Sequence, residues 1–425
     1  MEALELYIHI PFCVRKCLYC DFNSHPGGPG EHEAYTRALI REIDWWGRLT
    51  GRARVATIYV GGGTPSWLND SLLEEIFAAV KRNFALDQAA EISLEVNPGT
   101  ATEKTLLAYR RMGINRISIG LQSANDEELA LLGRIHTFSD FLRTFERARA
   151  AGFANINVDI MTGLPHQTED KLKKTLQKLT MLRPEHISAY SLMVEPGTPF
   201  YERYAEDVAR RDRGEGTTDL PDEALDYRLY DLTREFLIGR GYGQYEISNY
   251  AREGFACRHN LGYWERKPYL GLGVGAASLL MDSFPGDGGG GRRPEGLRTP
   301  AYPNIRFSNI KETDHYIELW EAYDPSRQEG PDEILADAPW IDPKTIQKLT
   351  CREAMEEFLF LGLRKTGGIR EADFLDAFGL AIDSVFGPVI ESQRRRGLVR
   401  REGGQIALTK RGIDISNVVL AEYLP

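Results

Sequence analysis

Three of the five cysteines lie in one short loop, Cys13-Val-Arg-Lys-Cys17-Leu-Tyr-Cys20. Three thiolates from a single loop suit a metal centre, and they leave one coordination position that the loop itself does not fill. A zinc site normally needs four nitrogen or sulfur ligands, and no second closely spaced cysteine pair follows. A disulfide is disfavoured because three neighbouring cysteines cannot pair evenly. The spacing therefore favours a [4Fe-4S] cluster with three protein ligands, with zinc as the open alternative.

Polar or glycine-rich residues also follow several hydrophobic segments. Gly61 to Thr64 is either a tight turn or bare backbone that a charged ligand can approach closely. Glu95 and Asp159 end two further segments. One interpretation pairs these carboxylates with Arg134 or Arg116 in buried ion pairs. The other has them hold an ammonium group or the hydroxyls of a ribose.

The elements that must position these residues show a regular alternation. In Leu4 to Ile10 every second residue is apolar, so a strand there places Tyr7 and His9 on one face. Further strands are predicted at Val55–Val60, Glu91–Val96, Asn115–Ile119, Asn155–Ile160 and His186–Ser191, with helices at Glu31–Arg48, Asp70–Phe84, Thr102–Met112 and Glu169–Met181, and an interrupted one reaching Ala151. This alternation predicts parallel strands in an α/β architecture.

A doubly wound sheet and a barrel both fit that alternation. The unusual residues follow the carboxyl ends of the strands, where barrel enzymes build their sites, so we predict an open, partial (β/α)6 TIM-like barrel. Gln122, at one such end, is either a helix cap or a ligand contact.

The 425 residues are long enough for more than one domain. We predict a barrel domain over residues 1–205, a flanking region over 206–345 and a C-terminal domain over 346–425. The flanking region begins with a charged surface stretch to Asp219 and a helix from Asp222 to Arg240, and it contains a Gly/Pro-rich insertion (Phe284–Asn304) and an acidic linker (Pro331–Pro343). Helices at Glu353–Leu363, Glu371–Phe378 and Val385–Arg396 before a hairpin at Gly403-Gly404 predict a winged-helix-like α+β domain.

Composition limits the partners and the compartment. A net charge of −10 argues against a general nucleic-acid binder, because phosphate contacts need a concentrated positive surface. No apolar run approaches the ~20 residues that span a bilayer, and the N-terminus lacks the pattern of a signal peptide. We therefore expect a cytoplasmic protein.

Cys13-x3-Cys17-x2-Cys20 resembles the signature of radical S-adenosylmethionine (SAM) proteins. In that superfamily SAM fills the fourth position on the cluster, and electron transfer cleaves it to a 5′-deoxyadenosyl radical. One branch, the oxygen-independent coproporphyrinogen dehydrogenases and their relatives, is similar over residues 4–280 and more loosely beyond. The matching motifs are Tyr7-x-His-Ile-Pro-Phe-Cys, Gly61-Gly-Gly-Thr-Pro, Ser93-x-Glu95-x-Asn-Pro, Gly120-x-Gln122-Ser, Arg134 and Asp159-x3-Gly163-Leu-Pro165. The resemblance implies cluster ligands at Cys13, Cys17 and Cys20, and SAM contacts at Tyr7, Phe22, Gly62, Gly63, Thr64, Glu95, Gln122, Arg134 and Asp159.

Two features separate this chain from the dehydrogenases. Phe22 stands where they have a further cysteine, and their N-terminal arm does not precede the first strand here. His259-Asn260-Leu-Gly-Tyr263-Trp264 instead resembles the His-Asn-x-x-Tyr-Trp motif of the HemW haem chaperones. A histidine among aromatic residues is usually a packed side chain, but neutral imidazole is also an axial ligand of haem iron. The resemblance thus implies haem ligation by His259, with Cys257 as an alternative ligand or a plain buried thiol.

The implied function is that of a haem chaperone with a radical SAM core. It would deliver haem to acceptor haemoproteins such as respiratory enzymes, receive electrons from a donor to the cluster, and associate transiently with membranes, either as a monomer or as a dimer. The alternatives are a radical enzyme that acts on a tetrapyrrole and a zinc-binding regulatory protein. This family generally has histidine in place of Ala277, so the chain departs from the family pattern on the substrate side.

Overall fold

The computed structural model describes residues 3–281, 304–324 and 338–424. Its N-terminal part alternates strands and helices along the chain. The strands are β1 (Leu4–Ile10), β2 (Arg54–Gly62), β3 (Ala85–Val96), β4 (Arg116–Gln122), β5 (Ile156–Thr162) and β6 (His186–Ser191). The helices between them are α1 (Pro29–Thr50), α2 (Asp70–Asn83), α3 (Glu103–Met112), α4 (Asp126–Leu131), α5 (Phe138–Ala150) and α6 (Glu169–Met181).

These six strands lie side by side in chain order, and each is parallel to the next. A doubly wound sheet would reverse its strand order at a switch point, and none of the six does so. The predicted partial (β/α)6 barrel is confirmed. Residues at the N-termini of the barrel helices stabilise their first turns. Thr102 and Thr137, for example, form capping boxes at the beginnings of α3 and α5.

The flanking region extends this open sheet at both edges. Its elements are α7 (Pro199–Asp212), α8 (Glu223–Ile238), β7 (Asn249–Ala251), α9 (Arg258–Trp264), β8 (Tyr269–Leu272), β9 (Ala277–Leu280), β10 (Ile305–Ser308) and α10 (Thr313–Ala322). β8 is parallel to β1, whereas β9 and β10 continue beyond it in antiparallel order. β7 pairs in antiparallel order with β6 at the other edge. The two-residue strands Gly243–Gln244 and Gln347–Lys348 bring this sheet to twelve strands within the described residues.

The sequence predicted a charged surface stretch up to Asp219 without assigning a helix to it, and the structure forms α7 there. Thr198 caps this helix by accepting a hydrogen bond from the Tyr201 N–H, and Pro199 occupies its first turn. Phe200 and Tyr204 are buried one turn apart. Charged residues occupy the remaining faces of α7. Because they outnumber the two buried aromatic residues, the sequence pattern did not indicate a helix.

The C-terminal part forms a second, smaller hydrophobic core. It contains α11 (Cys351–Gly362), α12 (Glu371–Phe378), α13 (Asp383–Arg395), β11 (Val399–Glu402), β12 (Gln405–Leu408), α14 (Lys410–Asp414) and α15 (Ser416–Ala421). Residues Ile369–Arg370, β12 and β11 form a three-stranded sheet, so the winged-helix-like fold is confirmed. Nearly all of the Phe284–Asn304 insertion and most of the Pro331–Pro343 linker lie outside the described residues. Among the described helices, none combines the length and the apolar character needed to cross a bilayer.

Candidate functional site

The interior of the barrel is polar. The strand residues that point outward toward the helices, such as Leu6, Ile8 and Ile58, are apolar and fully buried. The alternate residues point inward and bond across neighbouring strands. Such contacts join Tyr59 to Glu95 at 3.0 Å, Ser118 to Asp159 at 2.9 Å and Asn157 to His186 at 2.6 Å.

The cysteine loop follows β1 at the carboxyl end of the barrel. The Thr64 hydroxyl donates to Cys13 Sγ at 3.6 Å, and the Arg134 guanidinium donates to Cys17 Sγ at 3.6 Å. Hydrogen-bond donors and a positive charge stabilise thiolates, which are the form that binds iron. These surroundings fit an iron–sulfur cluster held by the loop. In the described ranges, no three His, Cys, Asp or Glu side chains are placed to hold a single metal ion.

The glycine segment after β2 packs directly on the cysteine loop. The Gly63 N–H donates to Ile10 O at 2.8 Å, and the Thr64 N–H donates to Phe12 O at 2.7 Å. A Cβ atom on Gly63 would lie 2.7 Å from Phe12 O, so this approach requires glycine. The Gly62 N–H is also used, by the Glu95 carboxylate at 3.2 Å. The N–H groups of Gly62, Gly63 and Thr64 are therefore all bonded within the protein.

Arg134 connects the cysteine loop to the ends of β3 and β4. It donates to Asn97 Oδ1 at 2.8 Å and to Gly120 O at 2.7 Å. Asn97 in turn donates to Thr64 Oγ1 at 2.7 Å. The backbone of Gln122 is left-handed, with φ of 72°, and its side chain approaches Gly120. The structure thus brings Thr64, Gln122 and Arg134 together beside the cysteines.

Glu95 and Asp159 are held by neutral donors. Glu95 accepts from the Tyr59 hydroxyl, and Asp159 accepts from Ser118 and from Asn157, the latter at 2.7 Å. Neither carboxylate forms an ion pair within the described part of the chain, so the interpretation as buried ion pairs is not supported. Burial, followed by the charge of Asp159, raises the pKa of Glu95 to about 7. Burial also raises the pKa of Asp159.

Tyr7 and His9 share the inner face of β1, as predicted. His9 Nε2 lies 2.8 Å from Asn23 O, which can only accept, so this nitrogen carries the proton. Nδ1 is then the acceptor for the Tyr7 hydroxyl at 2.9 Å. Burial lowers the pKa of His9, which favours this neutral form. Phe22 lies beyond the third cysteine and is 67% exposed.

His259 lies at the other end of the barrel. Glu91 accepts hydrogen bonds from the first N–H groups of α9, at 3.0 and 3.2 Å, and anchors this helix beneath the barrel. The His259 side chain is 1% exposed, with Nδ1 2.7 Å from Thr57 Oγ1 and Nε2 2.9 Å from the Tyr263 hydroxyl. Burial, followed by the charge of Arg116, lowers its pKa to about 3. Both ring nitrogens are engaged, and the structure does not bring His259 to the cysteine loop.

A cavity of about 530 Å³ connects the two ends. We call it the lateral cavity. Near the cysteine loop its walls are Tyr7, His9, Phe22, Asn23, Gly62, Glu95 and Gly275, which lies against Asn23; the other wall residues are Tyr263, Trp264, Tyr269, Ala277, Leu279, Arg306 and Leu361. Four of the predicted SAM positions and two aromatic residues of the His259 motif therefore face one space.

Comparison with known proteins assigns the family. Residues 7–179 match the model of the radical SAM superfamily, and residues 349–415 match the HemN C-terminal domain. The chain is 32% identical to the haem chaperone HemW of Bacillus subtilis over 98% of both chains. It is 39% identical to the haem chaperone HemW of Escherichia coli over 65% of this chain and 70% of that one. The chain belongs to the HemW family of radical SAM proteins.

A solved structure supports the fold of this HemW family member. Coproporphyrinogen III oxidase (HemN) from Escherichia coli, a radical SAM enzyme, superposes with a TM-score of 0.76 over 99% of this chain and 90% of that chain, at 24% identity. Membership of the radical SAM superfamily implies a [4Fe-4S] cluster and SAM. The hydrogen bonds to Cys13 and Cys17 agree with that implication, and zinc is no longer needed to explain the cysteine loop.

Sequence reasoning missed several residues of the site in this HemW family member. Asn97 directly follows β3, so its position at a strand end was a usable signal. Tyr59 lies on the same inward face as Thr57 and was detectable from the alternation along β2. Tyr269 and Arg306 come from β8 and β10, whose place beside β1 depends on long-range pairing.

Proposed function

We propose that this chain is a haem chaperone that binds haem in the lateral cavity and transfers it to acceptor haemoproteins. The observation that carries the proposal is the composition of the cavity wall. Tyr263, Trp264 and Tyr269 supply flat aromatic surface for a macrocycle, and a volume of about 530 Å³ suits a ligand of that size. Arg306 lines the same wall and supplies a positive charge for a propionate.

The same proposal includes the cofactors at the other end of the cavity. Cys13, Cys17 and Cys20 would hold the [4Fe-4S] cluster, which supplies one-electron chemistry when bound. Around SAM, Glu95 and Asp159 would accept from its ammonium or hydroxyl groups, and Gly62 and Gly63 would offer carbonyl oxygens. Tyr7, Phe22, Thr64, Gln122 and Arg134 complete the proposed contacts.

The proposed partners are acceptor haemoproteins, such as respiratory enzymes, and an electron donor to the cluster. The relatives named haem chaperone HemW support the first of these. We also propose a cytoplasmic location and transient association with membranes. The proposed domain boundaries follow residues 205 and 345.

A second function is a radical reaction on a tetrapyrrole. It is favoured by the continuity of the lateral cavity, since a macrocycle beside Trp264 would share the space that reaches Tyr7 and Glu95. Anaerobic incubation with coproporphyrinogen, SAM and a reductant distinguishes the two functions. A vinyl product would support the enzyme, and unchanged porphyrinogen would support the chaperone.

The test of the chaperone is haem titration of the anaerobically reconstituted full chain, with and without SAM, followed by mixing with an apo-haemoprotein. We expect saturable binding of one haem, and growth of the acceptor spectrum at the expense of the donor spectrum. Trp264→Ala should weaken haem binding by about tenfold or more through lost ring contact. Trp67→Ala, an exposed tryptophan outside the cavity wall, is the matched control. Equal loss in both variants, or no saturable binding by the wild type, would contradict the proposal.

A further inference from the structure

Three buried side chains inside the barrel form an unbroken row of hydrogen bonds that ends on Asp159. Asn157 Nδ2 donates to Asp159 Oδ1 at 2.7 Å and to Ser118 Oγ at 2.6 Å, and the Ser118 hydroxyl donates to Asp159 Oδ2 at 2.9 Å. The His186 ring lies behind Asn157, with Nδ1 2.6 Å from Asn157 Oδ1. These three side chains are at most 2% exposed, whereas Asp159 is only partly buried. A ligand at Asp159 would therefore contact the end of the row and not His186.

The donor and the acceptor of each bond in this row are determined. A carboxylate accepts, so the amide nitrogen of Asn157 faces Asp159 and its oxygen faces His186. Because that oxygen can only accept, the proton of the neutral ring is on Nδ1. Nε2 is then an acceptor, and the Tyr245 hydroxyl donates to it at 2.8 Å. Burial, followed by the charge of Arg116, lowers the pKa of His186, which favours this neutral form.

Resting on the proposed contact between Asp159 and SAM, we propose that His186 is a positioning residue that fixes the Asp159 carboxylate through Asn157. If the Asn157 amide turned over, its oxygen would face the carboxylate and repel it. The Nδ1–H of His186 holds that oxygen on the far side, so the two amide N–H bonds stay directed at Ser118 and Asp159. Hydrogen bonds that run in one direction also polarise one another, which strengthens the bonds to the carboxylate.

Neighbouring groups support this contact without replacing it. Ser188 also donates to Asn157 Oδ1, but at 3.2 Å, which is longer than the 2.6 Å contact with His186. Tyr245 is held in turn by the C-terminal part, since the Thr366 N–H donates to its carbonyl oxygen at 3.0 Å. The orientation of the imidazole ring is thus set from both sides, by Asn157 and by Tyr245.

The first test is the tautomer of His186 in the cluster-free wild type, read by proton–nitrogen NMR of the full chain with isotope-labelled histidine. We expect a neutral ring with its proton on Nδ1, a result that needs no variant to be informative. The signal is assigned among the eight histidines by its absence from His186→Asn. A proton on Nε2, or a charged ring, would overturn the inference.

The second test compares the SAM affinity of cluster-loaded chains that carry one of two substitutions. His186→Asn places an amide N–H where Nδ1–H stood, so it should bind SAM within about threefold of the wild type. His186→Gln places its amide near the position of Nε2 and loses the bond to Asn157, so it should bind SAM about five- to tenfold more weakly. Both variants replace the same buried ring by an amide, and calorimetry checks that both are folded. Equal losses of affinity, or none in His186→Gln, would contradict the positioning role.

Asp159→Asn separates this inference from the proposed function on which it rests. If Asp159→Asn binds SAM as tightly as the wild type, the proposed contact is wrong, and the role of His186 falls with it. If Asp159→Asn weakens SAM binding while His186→Gln does not, the contact stands and His186 only fills space in the barrel. Weaker binding in Asp159→Asn and His186→Gln, with His186→Asn close to the wild type, would support both.

Discussion

At the scale of single residues, Glu95 faces two opposed demands. The proposed contact with SAM needs a negative charge on Glu95, yet burial and Asp159 raise its pKa from 4.5 to about 7. The folded chain therefore keeps a proton that the unfolded chain releases between these values. The contribution of this group to the free energy of unfolding is fully present below pH 4.5 and is lost progressively as the pH rises toward 7.

Glu95→Gln should remove this dependence. At pH 8 the variant should be more stable than the wild type by roughly 1–3 kcal/mol, since one pKa unit corresponds to about 1.4 kcal/mol, and near pH 4.5 the two should be similar. Urea denaturation of the cluster-free proteins at both pH values measures the difference. Glu75→Gln, an exposed change on α2, is the control. An identical offset between Glu95→Gln and the wild type at the two pH values would contradict the assignment.

The sequence predicted residues of the site where they directly follow a strand of the barrel. Thr64 and Gln122 lie near the cysteines because parallel strands bring their carboxyl ends to one edge. Arg134 follows α4 instead of a strand, and only the family resemblance pointed to it. The position of His259 did not follow from the sequence. The burial of His259 depends on how α9 packs against the barrel, and the residues of the motif alone do not determine that packing.

At the scale of elements, α9 closes the amino end of the barrel. Its first N–H groups bind Glu91, and Gly262 packs on Glu5 of β1. Glu5 is 2% exposed, so its carboxyl group has little room to move. This close contact fixes how deeply the helix, and with it His259, enters the barrel.

Gly262→Ala tests that contact through a double-mutant cycle. A Cβ atom there would overlap the Glu5 carboxyl group, so the variant should lose about 2–4 kcal/mol of unfolding free energy. In a Glu5→Ala background the same change should cost less than about 1 kcal/mol, because the obstructing group is gone. Chemical denaturation of the four proteins gives the coupling. Equal costs in both backgrounds would show that α9 is not limited by this contact.

Period-two alternation predicted β1, and the regular succession of strand-like and helical segments predicted the other five strands of the barrel. The same reasoning missed α7, where only Phe200 and Tyr204 mark the buried side among many charges. Long elements with a strong hydrophobic pattern can be predicted from sequence. A short amphipathic helix with only two buried apolar residues gives too weak a pattern for such a prediction.

At the scale of the whole molecule, the C-terminal part packs on the wall of the lateral cavity. Glu357 of α11 binds Arg266 at 2.9 Å and Arg306 at 2.8 Å. Arg364 lies over the Trp264 ring, 4.6 Å from its centroid. The sequence predicted a barrel domain, a flanking region and a C-terminal domain but not this contact, because the contact joins side chains about 50 to 100 positions apart. The C-terminal part thereby holds Trp264 and Arg306, two residues that the proposed function places beside haem.

Glu357→Gln should release that attachment. The change preserves the shape of the side chain but leaves two arginines without their counterion, and Arg266 is only 7% exposed. Loss of one partner of a buried ion pair typically costs 3–5 kcal/mol. We therefore expect a calorimetric transition of the C-terminal part at a lower temperature than that of the barrel, and weaker haem binding because Arg306 loses its ion-pair partner.

Glu391→Gln is the control. It removes an exposed ion pair on α13 and should cost less than about 1 kcal/mol without splitting the transition. If both variants unfold in one unchanged transition, the attachment rests on apolar packing, and the charge on Glu357 is not what holds the cavity wall in place.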